Sequence, residues 1–321
     1  MAKAKHLLFI IVTLSAVHQV LGKEVELEKC PGQYCGRVQD RNGKFGKCQA
    51  CPRGYRSYGD LCVKCTKSLR LHDWLYLGFI ILTVIVLHWF FIDYFVQRVR
   101  QNMILLFVSS VIETTLAAIF TLLVNEPKGT LNLTACWTER LSDWYTVFFN
   151  PKPDYVNTIH CTNEAVYPLY TIVLTFHAIA VTMLILIRPV LSHRMCAGSG
   201  LSSIYAAMYF LPVLAAVHAL LGGLLYYSYP YITLVVSVIS TAVVLSKNKI
   251  TNIRQLMGSK RHISIVFGHW LINAYGLLAV TEVTQPSVHG PMFLLVTTPV
   301  LFYLATSSLT EPNKFKQLLA G

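Results

Sequence analysis

Leu141 to Val173 reads LSDWYTVFFNPKPDYVNTIHCTNEAVYPLYTIV, and its two ends belong in different solvents. The first part carries Asp143, Asp154, Pro151 and Pro153. It is too polar and too rich in proline for hydrocarbon, where every backbone donor needs an internal partner. From Ala165 the residues turn apolar and read as the start of a membrane span. Cys161 stands just ahead of that span, and Pro168 lies at its opening. Trp144, Tyr145, Tyr167 and Tyr170 supply rings that favour a membrane–water interface. The stretch predicts a structured loop on the non-cytosolic face, leading directly into a helix.

Composition extends this to the whole chain. Of 321 residues, 54% are hydrophobic and 13% charged, against about a quarter charged in a soluble domain. The net charge of +12 shows none of the basic–aromatic interleaving of a nucleic-acid groove, so no nucleic-acid partner is expected. The fold class predicted is an all-α polytopic membrane protein, with the lipid bilayer as its solvent. Seven transmembrane helices lie within 74–309: 75–96, 103–124, 165–187, 203–221, 224–245, 262–280 and 293–309. Gly222-Gly223 is read as the turn between the fourth and fifth.

Residues 1–22 have the form of a secretory signal peptide. Lys3 and Lys5 precede an apolar run from Leu7 to Val17, with Val20 and Gly22 small enough for a cleavage site. An uncleaved signal anchor is the competing reading, and both send the next segment into the lumen. That segment, 23–73, is a small polar domain holding Cys30, Cys35, Cys48, Cys51, Cys62 and Cys65. A core so small needs staples. Six cysteines behind a signal read as three disulfides of unspecified pairing. The paired spacing Cys48-x2-Cys51 and Cys62-x2-Cys65 is also that of a zinc knuckle, a reading that would suit a reducing compartment.

Charge sets the orientation. With the N-terminus lumenal, the cytosolic segments hold eleven basic residues: Arg98, Arg100, Arg188, Arg194, Lys247, Lys249, Arg254, Lys260, Arg261, Lys314 and Lys316. The lumenal connections hold three, Lys128, Arg140 and Lys152. Basic residues mark the cytosol, so the tail 310–321 is cytosolic. Cysteine parity agrees, because eight thiols fall on the lumenal side. Cys136 and Cys161 are then expected to pair across the loop 125–164. A closure of about 25 residues contributes about 3 kcal/mol in the chain-entropy model. Cys196 alone falls in the cytosol. Asn132-Leu133-Thr134 is a glycosylation sequon in the same lumenal loop.

Ionisable groups inside spans are functional candidates by default. His88, Glu113, His177 and His269 fall at depths of about 10–15 Å, at 1.5 Å per residue, and could meet in one polar layer. Such a layer would serve as a metal site, a proton relay or an intramembrane active centre. Plain interhelical hydrogen bonding is the competing reading. No His-Glu-x-x-His, Gly-x-Ser-x-Gly or P-loop element is present. The expectation is a protein that is not an enzyme and needs no cofactor. The aromatic clusters at 73–76, 144–145 and 226–231 read as interfacial belts.

The residues also carry a resemblance. The chain resembles the Jun-N-terminal-kinase-associated membrane protein family (JAMP) in Leu141-Ser142-Asp143-Trp144-Tyr145-Thr146, in Asn150-Pro151-x-Pro153-Asp154-Tyr155-Val156, and in His160-Cys161-Thr162-x-Glu164 onward to Val173. It does so again in Asp73-Trp74-Leu75-Tyr76, His88-Trp89-Phe90-Phe91, Gly222-Gly223-Leu224-Leu225-Tyr226-Tyr227, His269-Trp270-Leu271 and Thr310-Glu311-Pro312, so that it covers about Cys30 to Pro312. The signal-like stretch ahead of the cysteines is the departure. The resemblance implies a seven-span protein of the endoplasmic reticulum membrane, acting in the unfolded-protein response and in degradation of misfolded proteins. It implies an adaptor recruiting proteasome subunits, a membrane ubiquitin ligase and a Jun-type stress kinase, with no catalytic residue. Two other classes compete: a seven-span receptor, and a transporter or enzyme using the polar layer. Against the receptor, the last span has Thr298-Pro299-Val300-Leu301 in place of an Asn-Pro-x-x-Tyr element.

Overall fold

The computed structural model describes residues 29–95, 100–151, 160–195 and 200–307. The signal stretch 1–22, Cys196, Asp154 with its neighbours, and the tail 310–321 lie outside the described residues.

The cysteine-rich segment forms short antiparallel pairs. β1 (Cys35–Gly36) pairs with β2 (Gln49–Ala50), and β3 (Tyr55–Tyr58) with β4 (Leu61–Lys64). β5 (Lys67–Ser68) pairs outside the segment with β6 (Thr134–Ala135), in the loop beyond the second helix. The segment and the loop are therefore one cap.

Eight helices follow: α1 (Leu71–Phe95), α2 (Arg100–Val124), α3 (Leu169–Met195), α4 (Leu201–Lys247), α5 (Ile253–Met257), α6 (Lys260–Thr281), α7 (Pro286–Met292) and α8 (Thr298–Thr306). The sequence specifies how two of them start. The Asp73 carboxylate accepts the Arg70 N–H at 2.8 Å in the first turn of α1. Glu164, just ahead of α3, accepts the Thr171 N–H at 2.7 Å and the Thr171 hydroxyl at 2.5 Å. Both carboxylates satisfy donors that a helix N-terminus leaves open and complement its dipole. Among the described residues, six helical segments are long and apolar enough to cross a membrane. Their outer faces expose Val86, Phe90, Ile104, Val108, Leu186 and Val213, as lipid contact requires.

The expected fourth and fifth spans are one continuous helix. α4 runs 47 residues through Gly222-Gly223, about 70 Å at 1.5 Å per residue, against a hydrocarbon thickness of about 30 Å. The sequence predicts a turn at the glycine pair. In fact it is a contact point, because a Cβ on Gly223 would lie 2.8 Å from the Trp144 Cβ and 2.9 Å from the Tyr145 ring. The first half of α4 packs on α3, where Tyr170 donates to the Ala219 carbonyl at 2.9 Å. The second half packs on α6, with Leu234 against Gly276 and Ser237 donating to the His269 carbonyl. The last apolar segment is Pro286–Thr306, broken into α7, a 3-10 turn at Phe293–Thr297 and α8.

Substituting Gly223 tests this contact. Gly223→Ala is expected to destabilise the protein by about 1–3 kcal/mol through overpacking against Trp144. Gly268→Ala, where nothing lies within 4 Å of the added Cβ, is expected to be neutral or to stabilise by up to about 1 kcal/mol through helix propensity. Thermal unfolding of the purified protein in detergent reads both. Equal midpoints for the two variants would contradict the contact.

Candidate functional site

The cap is locked covalently. Its disulfides are Cys30–Cys48, Cys35–Cys161, Cys51–Cys62 and Cys65–Cys136. All eight expected cysteines are paired, but the pairing differs from the expectation. Cys136 and Cys161 do not join each other, and the N-terminal six do not close among themselves. Two bridges tie the cysteine-rich segment to the loop, over sequence separations of 126 and 71 residues. The β5–β6 ladder is the reason for one of them, since it carries Cys65 beside Cys136. Parity alone could place the thiols on one side of the membrane but not match them. No thiol of the C-x2-C pairs is left to hold zinc.

Asp143 is the hub beneath the cap. Its buried carboxylate accepts Arg56 Nη2 at 3.1 Å, the backbone N–H groups of Glu139 and Arg140 at 2.8 and 3.0 Å, and the Tyr34 hydroxyl at 3.0 Å. Burial pushes the Tyr34 hydroxyl up to about 12, with the nearby Asp143 charge adding to the shift. Tyr34 therefore stays protonated and keeps donating. Next to Asp143, the Trp144 ring is inserted between the glycine pair of α4 and the side chains of Tyr76 and Tyr226. Tyr226 donates to Asp73 Oδ1 at 2.6 Å, and Tyr229 to the His72 carbonyl at 3.0 Å. The sequence places these rings in an interfacial belt. Trp144, Tyr226 and Tyr229 are instead buried: the two tyrosine hydroxyls find partners inside the protein, and the Trp144 ring packs on the glycine pair with its Nε1 unpartnered.

The polar layer is also rearranged. His88 on α1 and Glu113 on α2 do meet, and Arg188 on α3 joins them. Arg188 donates to Glu113 through Nη2–Oε2 at 2.6 Å and Nε–Oε1 at 3.2 Å, and through Nη1 to His88 Nδ1 at 3.0 Å. The Ser109 hydroxyl adds a further bond to Glu113. An arginine only donates, so His88 Nδ1 accepts and the imidazole is the neutral Nε2–H form. Arg188, Glu113 and His88 are all buried. A planar fork on a carboxylate is the arrangement that best offsets desolvation of two charges.

His177 and His269 do not belong to this cluster. His177 is buried with Nδ1 unpartnered. The His269 Nδ1 lies 3.1 Å from the Ser240 hydroxyl, between α6 and the far half of α4. The four candidates thus sit at three separate places. Span ends read from hydropathy put Arg188 on the cytosolic side of a span ending at Ile187, whereas the helix runs on to Met195. The signal was present in Val190-Leu191, apolar residues that carry the helix past Arg188-Pro189. The sequon Asn132 is exposed, between α2 and β6.

A family model described as JNK1/MAPK8-associated membrane protein matches residues 30–312, which take in the cap, the Trp144 contact and the charge cluster. The mouse and human proteins named JNK1/MAPK8-associated membrane protein are each 44% identical over 294 residues, covering 89% of this chain and 94% of theirs. A homolog of that protein from Caenorhabditis elegans is 28% identical over 285 residues, covering 85% of this chain and 86% of its own. No solved structure matches.

The charge cluster makes a sharp mutational prediction. Removing one partner of a buried pair costs about 3–5 kcal/mol, because the other charge is stranded, whereas replacing both with apolar residues is often neutral. Arg188→Met and Glu113→Leu should each lower the thermal midpoint strongly. The double variant should recover most of the loss. A double variant no better than the worse single one would show that the pair does more than hold three helices together.

Proposed function

Because the chain belongs to the JNK1/MAPK8-associated membrane protein family, we propose that it is a non-catalytic adaptor of the endoplasmic reticulum membrane. Its role is to bring proteasome subunits, a membrane ubiquitin ligase and a Jun-type stress kinase to that membrane during the unfolded-protein response. The observation that carries the reading is similarity across both the cap and the helices, so that a relative's whole architecture is matched and not one module. The printed name of the mouse and human relatives ties them to a kinase, and the proposal extends that association to this chain.

Four disulfides support a lumenal cap, since such bonds persist in oxidising compartments and are rare in the cytosol. The 47-residue helix is long enough for two crossings. The seven-crossing reading with a cytosolic tail rests on the charge distribution, eleven basic residues against three, and requires α4, continuous in the structure, to reverse direction in the bilayer. Contacts with cytosolic partners then fall to the basic stretch 246–261 and the tail. The charge cluster is in keeping with a structural role, since Arg188 engages both Glu113 oxygens and His88 Nδ1.

Isolation of the tagged protein from stressed cells is expected to bring down proteasome subunits, a ubiquitin ligase and the kinase, and deletion is expected to slow clearance of a misfolded lumenal substrate. Clearance at the normal rate without the protein would sink the adaptor reading. Topology has its own readout in sealed microsomes. A C-terminal tag should be digested by added protease, while Asn132 should carry a glycan that endoglycosidase removes and Asn132→Gln abolishes. A protected tag would mean an even number of crossings.

A further inference from the structure

A cleft of about 500 Å³ opens beside the loop. It is walled by the two 3-10 turns from Asp143 to Phe148, the segment from Thr162 to Val166, Tyr170 on α3, and α4 at Ala219 and Leu220. Its volume lies in the range of small-molecule sites.

The walls are mostly apolar, and the cleft opens beside the apolar outer surface of α4. Leu220 is 72% exposed on the apolar surface of α4, and across the opening Phe148 is 79% and Val147 55% exposed. Large apolar groups at such exposure need a covering. Here the covering medium is fixed by continuity, because Leu220 lies on the same lipid-facing surface as Val213 and Leu224. The cleft is preformed: the Cys35–Cys161 disulfide holds one wall, and Thr146 donates to the Asn163 carbonyl at 2.8 Å across two walls.

Charge narrows the occupant. The described lining contains the carboxylates of Asp143 and Glu164 and no lysine or arginine. A phosphate headgroup would meet no cation there. Asp143 is fully engaged by Arg56, Tyr34 and two backbone N–H groups. Glu164 accepts the Thr171 N–H and hydroxyl and a backbone bond from Tyr170. A carboxyl group offers about four acceptor sites, so Glu164 has capacity for a further donor. Burial raises its pKa, opposed by the Thr171 bonds. A hydroxyl partner suits either form, since it both donates and accepts.

We propose that this cleft binds an uncharged, hydroxyl-bearing lipid of the diacylglycerol type from the non-cytosolic leaflet. An acyl chain lies between Val147, Phe148 and Leu220, and the hydroxyl end reaches Glu164. The loop so prized by the family resemblance is then a lipid-reading element, not only a brace for α3.

The test uses the full-length chain in lipid nanodiscs, with photoreactive analogues of diacylglycerol and of phosphatidylserine as probes. Labelled peptides are mapped by mass spectrometry, and disulfide mapping under non-reducing conditions checks the fold. The neutral probe is expected to label the walls at 143–148, 162–166 and 219–220 well above the anionic probe. Ala219→Trp, which fills the cleft, should reduce labelling about tenfold, the loss expected when roughly two methylenes are denied burial. Phe148→Ser removes an exposed rim side chain without touching the core, and should also reduce labelling if the first variant fails to fold. Equal labelling by the two probes, labels spread along every lipid-facing helix, or labelling unchanged in Phe148→Ser would overturn the proposal. So would labelling of these walls by an apolar photoreactive peptide in place of the lipid.

Discussion

In hydrocarbon, apolar side chains gain little by leaving lipid for one another, so helix arrangement is set by a small number of polar and close-packed contacts. The contacts in this chain are concentrated at two levels. At one level Arg188 joins Glu113 and His88, holding α3 to α2 and α1. At the other, Asp73 receives Tyr226 and Trp144 seats on Gly222-Gly223, holding α1, α4 and the loop together. Asp73 and His88 are separated by about 22 Å along α1 at 1.5 Å per residue. Two polar levels that far apart fix both position and tilt of the helices, which one level could not do.

The upper level depends on the cap. Trp144 sits on a 3-10 turn, a form with poor hydrogen-bond geometry that needs outside support. Asp143, the preceding residue, supplies that support through Arg56 of the cap and through the Tyr34 hydroxyl. The disulfides to Cys136 and Cys161 hold both flanks of the turn. A small cysteine-rich segment thus acts on the membrane helices through one tryptophan. The Trp144–glycine contact is where a change in the cap would reach α4.

The sequence made much of this readable and left particular parts out of reach. The helices α1, α2, α3 and α6 follow from uncharged apolar runs, and the similarity to the family follows from stretches such as Leu141–Thr146. The eight bonded cysteines follow from their common side of the membrane. Their pairing does not, because Cys35 and Cys161 are brought together only by a fold whose long-range ladders are two residues long. The continuity of α4 was hidden because adjacent glycines mark both turns and close approaches, and only the position of Trp144 decides between them. Arg188 was hidden for a similar reason. A basic residue near a span end satisfies the charge rule equally well outside the membrane, and its acidic partner is 75 residues away.

The Cys35–Cys161 bridge imposes an order on biosynthesis. Cys30–Cys48 and Cys51–Cys62 span 18 and 11 residues and can close as soon as the segment itself has been made. Cys35 and Cys65 cannot. Their partners emerge 126 and 71 residues later, after α1 and α2 have been synthesised. At about 5–20 residues per second, Cys35 waits some 6–25 s for its partner. During that time two thiols stand open beside four that can already have paired. Correct maturation of the cap is therefore a report that the first two helices have been inserted and their connecting loop delivered to the right side.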